Sequence, residues 1–405
     1  MAHKLSPDLT LPQHLDRKLT GFLLGWHELE KRLGGDVIID FNLLGRQPRD
    51  TYANRLDALK ALGKLLNEAS PHYPLAVRRL QAHDCYLRSL MGEKIPFGTF
   101  IKKTQGFEPK LFSESYLRQR RDALEIRLAE LGVALDGHTA RNLRALDEPI
   151  HSSVVGKAFL STYRRNRKFL VEAIAAEAKF RLKIEFVAVQ EYWAYWVDGN
   201  RSRFRLRFNE PNIRNQYSHT EAVQFVYHEL LAHCAQMAVW ARQIESGKLA
   251  KYFGLTTVHS PEQFLLEGLA QSLPLLLRNV ETENHLLLCR IYLSHYRSLV
   301  NNNLHIMINE GRTIEECVSF AKRHLPDPEV GEVAAGLVSR ANIPRFRSYE
   351  FVYPASFDFF IRCAENLPES AIKELLRKVY RGVYFYDGLA ELAQNRRRNS
   401  KHISM

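Results

Sequence analysis

The chain has 405 residues, 45% of them apolar and 25% charged: enough for one large or two ordinary domains, and too ordinary in balance for a disordered or fibrous protein. A formal net charge of +12 and a pI near 9.4 favour acidic partners such as nucleic acid, an anionic membrane surface or carboxylate-bearing substrates. Five scattered cysteines with no C-x-x-C pair argue against a disulfide framework or a cysteine-rich zinc site and suit a reducing compartment.

The first 18 residues carry no apolar run of the signal-peptide kind, and Ser272–Asn279 (SLPLLLRN), one of the strongest apolar runs, is too short to cross a bilayer. A cytoplasmic protein without membrane contact is expected. No zinc knuckle, RNP-type aromatic motif or basic-helix pattern accompanies the positive charge, which argues against nucleic acid as partner. Part of that charge sits in a C-terminal tail with Arg396, Arg397, Arg398 and Lys401.

Residues 1–150 read as an N-terminal helical domain. The stretches 15–33, 54–69 and 113–131 repeat apolar residues at three- and four-residue intervals, the last entered through Ser113 and weakened near its end by Gly132. The polar segment 136–153, with Gly137 and Pro149, marks a boundary, and residues 151–405 form the second domain. Its strand signal lies between Leu182 and Asn209. Lys183–Gln190 alternates, a turn is expected at Asp198-Gly199-Asn200, and Arg203–Phe208 follows as the second arm of a hairpin. There Phe204, Leu206 and Phe208 share one face, and Arg203, Arg205 and Arg207 the other. That basic face is either solvated or turned to an anionic substrate, which makes Arg205 a candidate contact. From Thr220 the pattern is helical again, with Ser260-Pro261-Glu262 as one helix start and prolines 326, 328, 344 and 354 as interruptions. The expected class is mostly α with one small antiparallel sheet.

One hexapeptide carries the chemistry: His228-Glu229-Leu230-Leu231-Ala232-His233. In the zinc signature H-E-x-x-H the imidazoles are four residues apart, on one helix face. Here they are five apart, about 140° around a regular helix. A π-bulge, whose hydrogen bond runs i to i+5, returns them to one face, so a metal site requires a widened turn. Glu229 stands inside an apolar run, where a lone carboxylate is costly; a cation and a water would account for it. Glu267, in LEGLAQ, is a second acid in an apolar helix, beside Gly268, which permits close approach of another helix or a metal shell. Two imidazoles and one carboxylate with an open fourth position form a catalytic zinc arrangement. His228, His233 and Glu267 are therefore the expected ligands of one Zn²⁺, and Glu229 the base that takes a proton from the metal's water.

HELLAH followed by LEGLAQ resembles gluzincin metallopeptidases with the H-E-x-x-x-H variant. Dipeptidyl peptidase III has that spacing; the tubulinyl-tyrosine carboxypeptidases, with their bacterial QEGLA-motif relatives, share both motifs. The chain is also similar to a bacterial helical carboxypeptidase-like family with H-E-x-x-P-G-H and E-G-W-A, although it lacks the Pro-Gly and has Leu269 in place of Trp. Asn303-Leu304-His305, Ile314-Glu315-Glu316 and Tyr353-Pro354-Ala355-Ser356-Phe357 are fainter echoes of that family. The likeness spans about residues 205–365. It implies a helical gluzincin-like fold, an oxyanion donor and an arginine for a terminal carboxylate. The candidates are His305, Tyr349 and Tyr353 for the first, and Arg340, Arg345 and Arg347 for the second. The expected activity is that of a zinc peptidase, of carboxypeptidase type, acting on peptides. A zinc hydrolase or lyase for a small amide or modified amino acid, or a metal-bound scaffold for an acidic partner, are the alternatives. The oligomeric state is left open.

Overall fold

A computed structural model describes residues 9–402, apart from 36, 47–50, 70–71, 152–153, 191–194, 213–215, 279–283 and 327–328. The chain opens with α1 (Gln13–Arg32), β1 (Ile39–Asn42), α2 (Arg55–Glu68), α3 (Pro74–Leu90) and α4 (Phe97–Thr104). Next come α5 (Glu114–Ala129), α6 (Thr139–Ala145), β2 (Pro149–His151), α7 (Val155–Ile174), β3 (Arg181–Val187), β4 (Tyr195–Asn200), β5 (Arg203–Asn209) and β6 (Gln216–Ser218). A near-continuous helical rod then runs through α8 (His219–Phe225), a π-helix (Val226–Cys234) and α9 (Ala235–Glu245). After β7 (Leu255–Thr257) the rest is helical: α10 (Gln263–Leu277), α11 (His285–Asn309), α12 (Ile314–His324), α13 (Val330–Asn342), α14 (Pro344–Asn366), α15 (Glu369–Val379) and α16 (Tyr386–His402).

The class is as read from the sequence: mostly α with small antiparallel pairings, β1 with β7, β2 with β6, and β4 with β5. The three-stranded sheet has the order β3-β5-β4, and its β3–β5 pair is parallel. The hairpin lies elsewhere than expected. Asp198 and Gly199 are strand residues of β4, and the two-residue turn is Arg201-Ser202, with Arg201 at φ 49°. Gly199 serves close approach instead of the turn, because a Cβ there would lie 2.3 Å from Cδ1 of Phe204 on the neighbouring strand. The alternation in β5 holds, with Phe204, Leu206 and Phe208 buried and Arg203 and Arg205 exposed.

Helix starts follow local chemistry. Asn54 and Ser113 accept from the backbone N–H groups of Asp57 and Tyr116, Ser218 and Glu221 form a capping box on α8, and Pro344 begins α14. The helix expected from Ser260 starts later, at Gln263, and Pro354 lies inside α14 without ending it. Pro328 falls outside the described residues.

Packing does not divide at residue 150. One core joins α1–α4 to α7–α10, α14 and α15. A second core sets Leu117, Leu124 and Leu128 of α5 against Leu299, Val300 and Leu304 of α11. The segment 136–153, expected as a polar boundary, contains α6 and β2. The first part of the chain is thus built into the second. Across the seam, Arg79 of α3 pairs at 3.0 Å with Glu262, both fully buried, and β1 pairs with β7 just before α10. All five cysteines are buried and none is in a disulfide.

Candidate metal centre

The rod from α8 to α9 is buried along most of its length, and its middle turns are wound as a π-helix over nine residues. The widened winding has the consequence that the spacing demanded. His228 and His233 lie on the same face, with their Nε2 atoms 3.3 Å apart and their rings nearly perpendicular. The winding also has a side-chain prop: the Tyr380 hydroxyl donates to the carbonyl oxygen of Leu231 at 2.8 Å.

Helix α10 supplies the third group. Glu267 Oε2 is 3.8 Å from Nε2 of both histidines. Gly268 lets α14 press onto α10 here, since a Cβ would meet Ser356 and Phe360 at 2.6–2.8 Å. From α14, Tyr349 donates to Glu267 Oε1 at 2.6 Å, which orients the carboxylate with Oε2 toward the imidazoles. That Oε2 atom is buried and has no hydrogen-bond partner.

These three donors fit a zinc ion. Tetrahedral coordination at ~2.0–2.1 Å separates neighbouring ligand atoms by about 3.3–3.4 Å, close to the observed triangle of 3.3, 3.8 and 3.8 Å. Burial keeps both imidazoles neutral with lone pairs available: His228 is lowered to about 4, and His233 lies well below its usual range through burial and then His228. Burial also raises Glu267 to about 8, against the opposing hydrogen bond from Tyr349. An orphaned carboxylate oxygen facing two neutral imidazoles is the electrostatic complement of a cation. Among the described residues, this is the one group of three or more His, Cys, Asp or Glu side chains able to hold a metal ion.

Glu229 follows the first histidine and is buried, with Oε1 3.7 Å from His228 Nε2. Burial raises its pKa well above the usual carboxylate range, and Glu267 and Asp40 add to the rise. The centre opens into a cleft of about 680 Å³, lined by His228, Glu229, His233 and Glu267 together with Tyr195, Arg345, Tyr349 and Tyr353.

The other sequence candidates separate into two groups. Tyr349, Tyr353 and Arg345 line the cleft, although the Tyr349 hydroxyl is engaged on Glu267. The remaining four are elsewhere. His305 is packed against Phe97 and Phe351, which removes it as an oxyanion donor. Arg340 is paired with Glu350 at 2.8 Å. Arg347 donates to Asn309 and to the carbonyl of Ile95. Arg205 is clamped by Asp198 in a second cavity. Strand β5, which carries the basic face, is the central strand of its sheet; β4 is an edge strand and reaches the cleft through Tyr195, Trp196 and Val197.

Sequence reasoning missed Tyr195, Arg144 and Asp40, which also line the cleft. Tyr195 is 40% exposed at the cleft, and the cleft walls around its ring, with Glu229 next, raise its phenol above the ordinary range. Asp40 is raised to about 7 by burial, despite a hydrogen bond with Gln263. The aromatic run before Asp198 was the available signal for Tyr195; a four-residue strand offered none for Asp40.

No known family model matches the chain, and no curated protein matches it. Among solved structures it is similar to a protein from Colwellia psychrerythraea described as a "putative lipoprotein", at 10% identity and a TM-score of 0.53. That match covers 85% of this chain and 67% of the other. At such identity the likeness is one of fold alone. Among the described residues no helix is long and apolar enough to cross a membrane.

Proposed function

We propose that the chain is a zinc-dependent peptidase that cleaves near the C-terminus of a peptide. The observation that carries this reading is the buried, partnerless Oε2 of Glu267 facing two imidazole nitrogens of a π-helix, at the floor of an open cleft. His228, His233 and Glu267 would hold the ion. Bound there, zinc supplies Lewis acidity, polarising the scissile carbonyl and making water nucleophilic at neutral pH.

The rest falls to the protein's own groups. Glu229 accepts the proton of the attacking water and returns it to the departing amine. Tyr353 donates to the carbonyl oxygen as negative charge develops on it, with Tyr195 on the facing strand as a second donor. The backbone edge of β4 runs beside an extended peptide. Arg345 and Arg144, the arginines lining the cleft, take over the carboxylate-binding role first sought in a larger arginine group; a planar guanidinium offers a carboxylate two parallel hydrogen bonds.

The test pairs elemental analysis with a peptide-library screen. Wild type should carry one zinc per chain and release C-terminal residues. Glu229→Gln should keep the metal and lose ~10²–10⁴-fold in turnover. A protein that takes up no transition metal overturns the reading, and one that binds zinc but cleaves nothing in the library leaves the scaffold alternative in front.

A further inference from the structure

The sheet β3-β5-β4 presents one face as three successive cross-strand rungs, since side chains two residues apart share a face. The first aligns Glu185, Arg207 and Trp196; the second Lys183, Arg205 and Asp198; the third Arg181, Arg203 and Asn200. The two cations of the second rung are neutralised by acids on the same face. Lys183 meets Glu185 at 2.6 Å, and Arg205 is gripped by both oxygens of Asp198. The third rung repeats the pair of cations, but Asn200 stands where the acid would be. Like charges directly opposite on neighbouring strands repel, and among the described residues neither Arg181 nor Arg203 has an acidic partner.

Both arginines are exposed, and both border the same open cavity. That cavity, of about 690 Å³, is lined also by Arg46 from the segment after β1, and its wall holds Asn42, Asn200, Phe204 and the already paired Lys183, Arg205 and Asp198. Arg46 too has no acidic partner among the described residues. The cavity adjoins the metal cleft, and Asp40 lines both.

We propose that this cavity is a binding site for a compact phosphate-bearing anion, a diphosphate held by the guanidinium groups of Arg46, Arg181 and Arg203. Guanidinium matches phosphate oxygens in planar, two-pronged contacts. Three uncompensated cations around one space suit a ligand with two or three negative charges better than a single carboxylate. The inference does not depend on the peptidase reading.

The experiment is calorimetric titration of the full chain at about 0.15 M salt, where exposed charge pairs farther apart than ~8 Å are screened. One arm uses inorganic pyrophosphate and the other ADP. Saturable 1:1 binding is expected. Equal affinity for the two would identify the free diphosphate as the ligand, and tighter ADP binding a nucleotide. Arg181→Gln with Arg203→Gln should weaken binding by at least about tenfold. Asn200→Asp, which supplies the missing counter-charge, should weaken it as well. Arg118→Gln with Arg141→Gln, equal in charge change but remote in sequence, should leave it within about twofold. Binding should persist in His233→Ala, which separates it from anion capture by zinc in the cleft. Absence of saturable binding, or unchanged affinity in the Arg181 and Arg203 double variant, overturns the proposal.

Discussion

Tyr349→Phe tests how the carboxylate ligand is held. The tyrosine hydroxyl donates to Glu267 Oε1 at 2.6 Å, within the ~2.5–2.7 Å range of a charge-assisted O–H···O⁻ bond. Bonds to charged groups contribute ~1.5–3 kcal/mol, and losing the outer partner of a metal ligand typically costs 10–100-fold in metal affinity. The two figures agree, since 1.4 kcal/mol is about tenfold. Two effects act in the same direction. Without the donor the carboxylate is free to rotate Oε2 away from the histidines, and the proton competes better with the metal, because that hydrogen bond is the larger of two, from Tyr349 and Tyr353, that lower the pKa of Glu267 against burial. Zinc affinity measured by chelator competition should therefore fall about 10–100-fold in the variant. Glu229→Gln, which leaves the three ligands untouched, should stay within a few-fold of wild type. A Tyr349→Phe protein that holds zinc as tightly as wild type would refute the claim that this hydroxyl orients the ligand.

Replacing His233 with Ala should abolish tight zinc binding, read by the same competition. Gly268→Ala should lower thermal stability by about 1–3 kcal/mol, because its Cβ would press on the backbone and side chain of Ser356 and overpack the helix contact; an unchanged melting temperature would contradict that packing. Asp40, raised to about 7 by burial, should make the chelator-treated protein lose stability as pH rises from about 4 to 7, since folding then favours the protonated acid. Asp40→Asn, neutral throughout, should match wild type near pH 4 and exceed it above pH 7 in denaturant titrations; parallel pH profiles would exclude the effect. Amidating the C-terminus of a cleaved peptide should nearly stop the reaction, and Arg345→Gln should reduce kcat/KM about tenfold or more; equal cleavage of free-acid and amidated peptides would remove the carboxypeptidase direction.

What the sequence disclosed depended on how local each feature is. Helices α1, α2 and α5 show their apolar spacing openly. Helix α3 hides it, because its buried face includes Arg79 and His83, whose partners Glu262 and His259 lie more than 170 residues away. Of Arg340, Arg345 and Arg347, Arg345 alone lines the cleft, for a geometric reason. Arg345 and Tyr349 are four residues apart on α14 and share a face, with Tyr353 one turn further. Arg347 is two residues from Arg345, about 200° around the helix, and points instead into the packing with Phe97 and Phe100. Arg340 belongs to the preceding helix. Proximity in sequence to a site residue counted for less than phase.

Phase also explains why the histidine spacing was informative. Five residues on a regular helix would set His228 and His233 on different faces, so the motif carries a conformational demand that a chance pair of histidines would not meet. The structure answers with nine residues of π-winding, much longer than the single-turn bulge usual in proteins. Such winding is held by its surroundings. The rod is enclosed by the core, and Tyr380 donates to the Leu231 carbonyl from another part of the chain. Opposite it, α10 brings Glu267 to within 3.8 Å of both rings, while Gly268 on the same helix lets α14 seat closely against it. The irregular turn, the glycine contact and the tyrosine bond each serve the same small triangle of donor atoms. A helix with two incidental core histidines would require none of them.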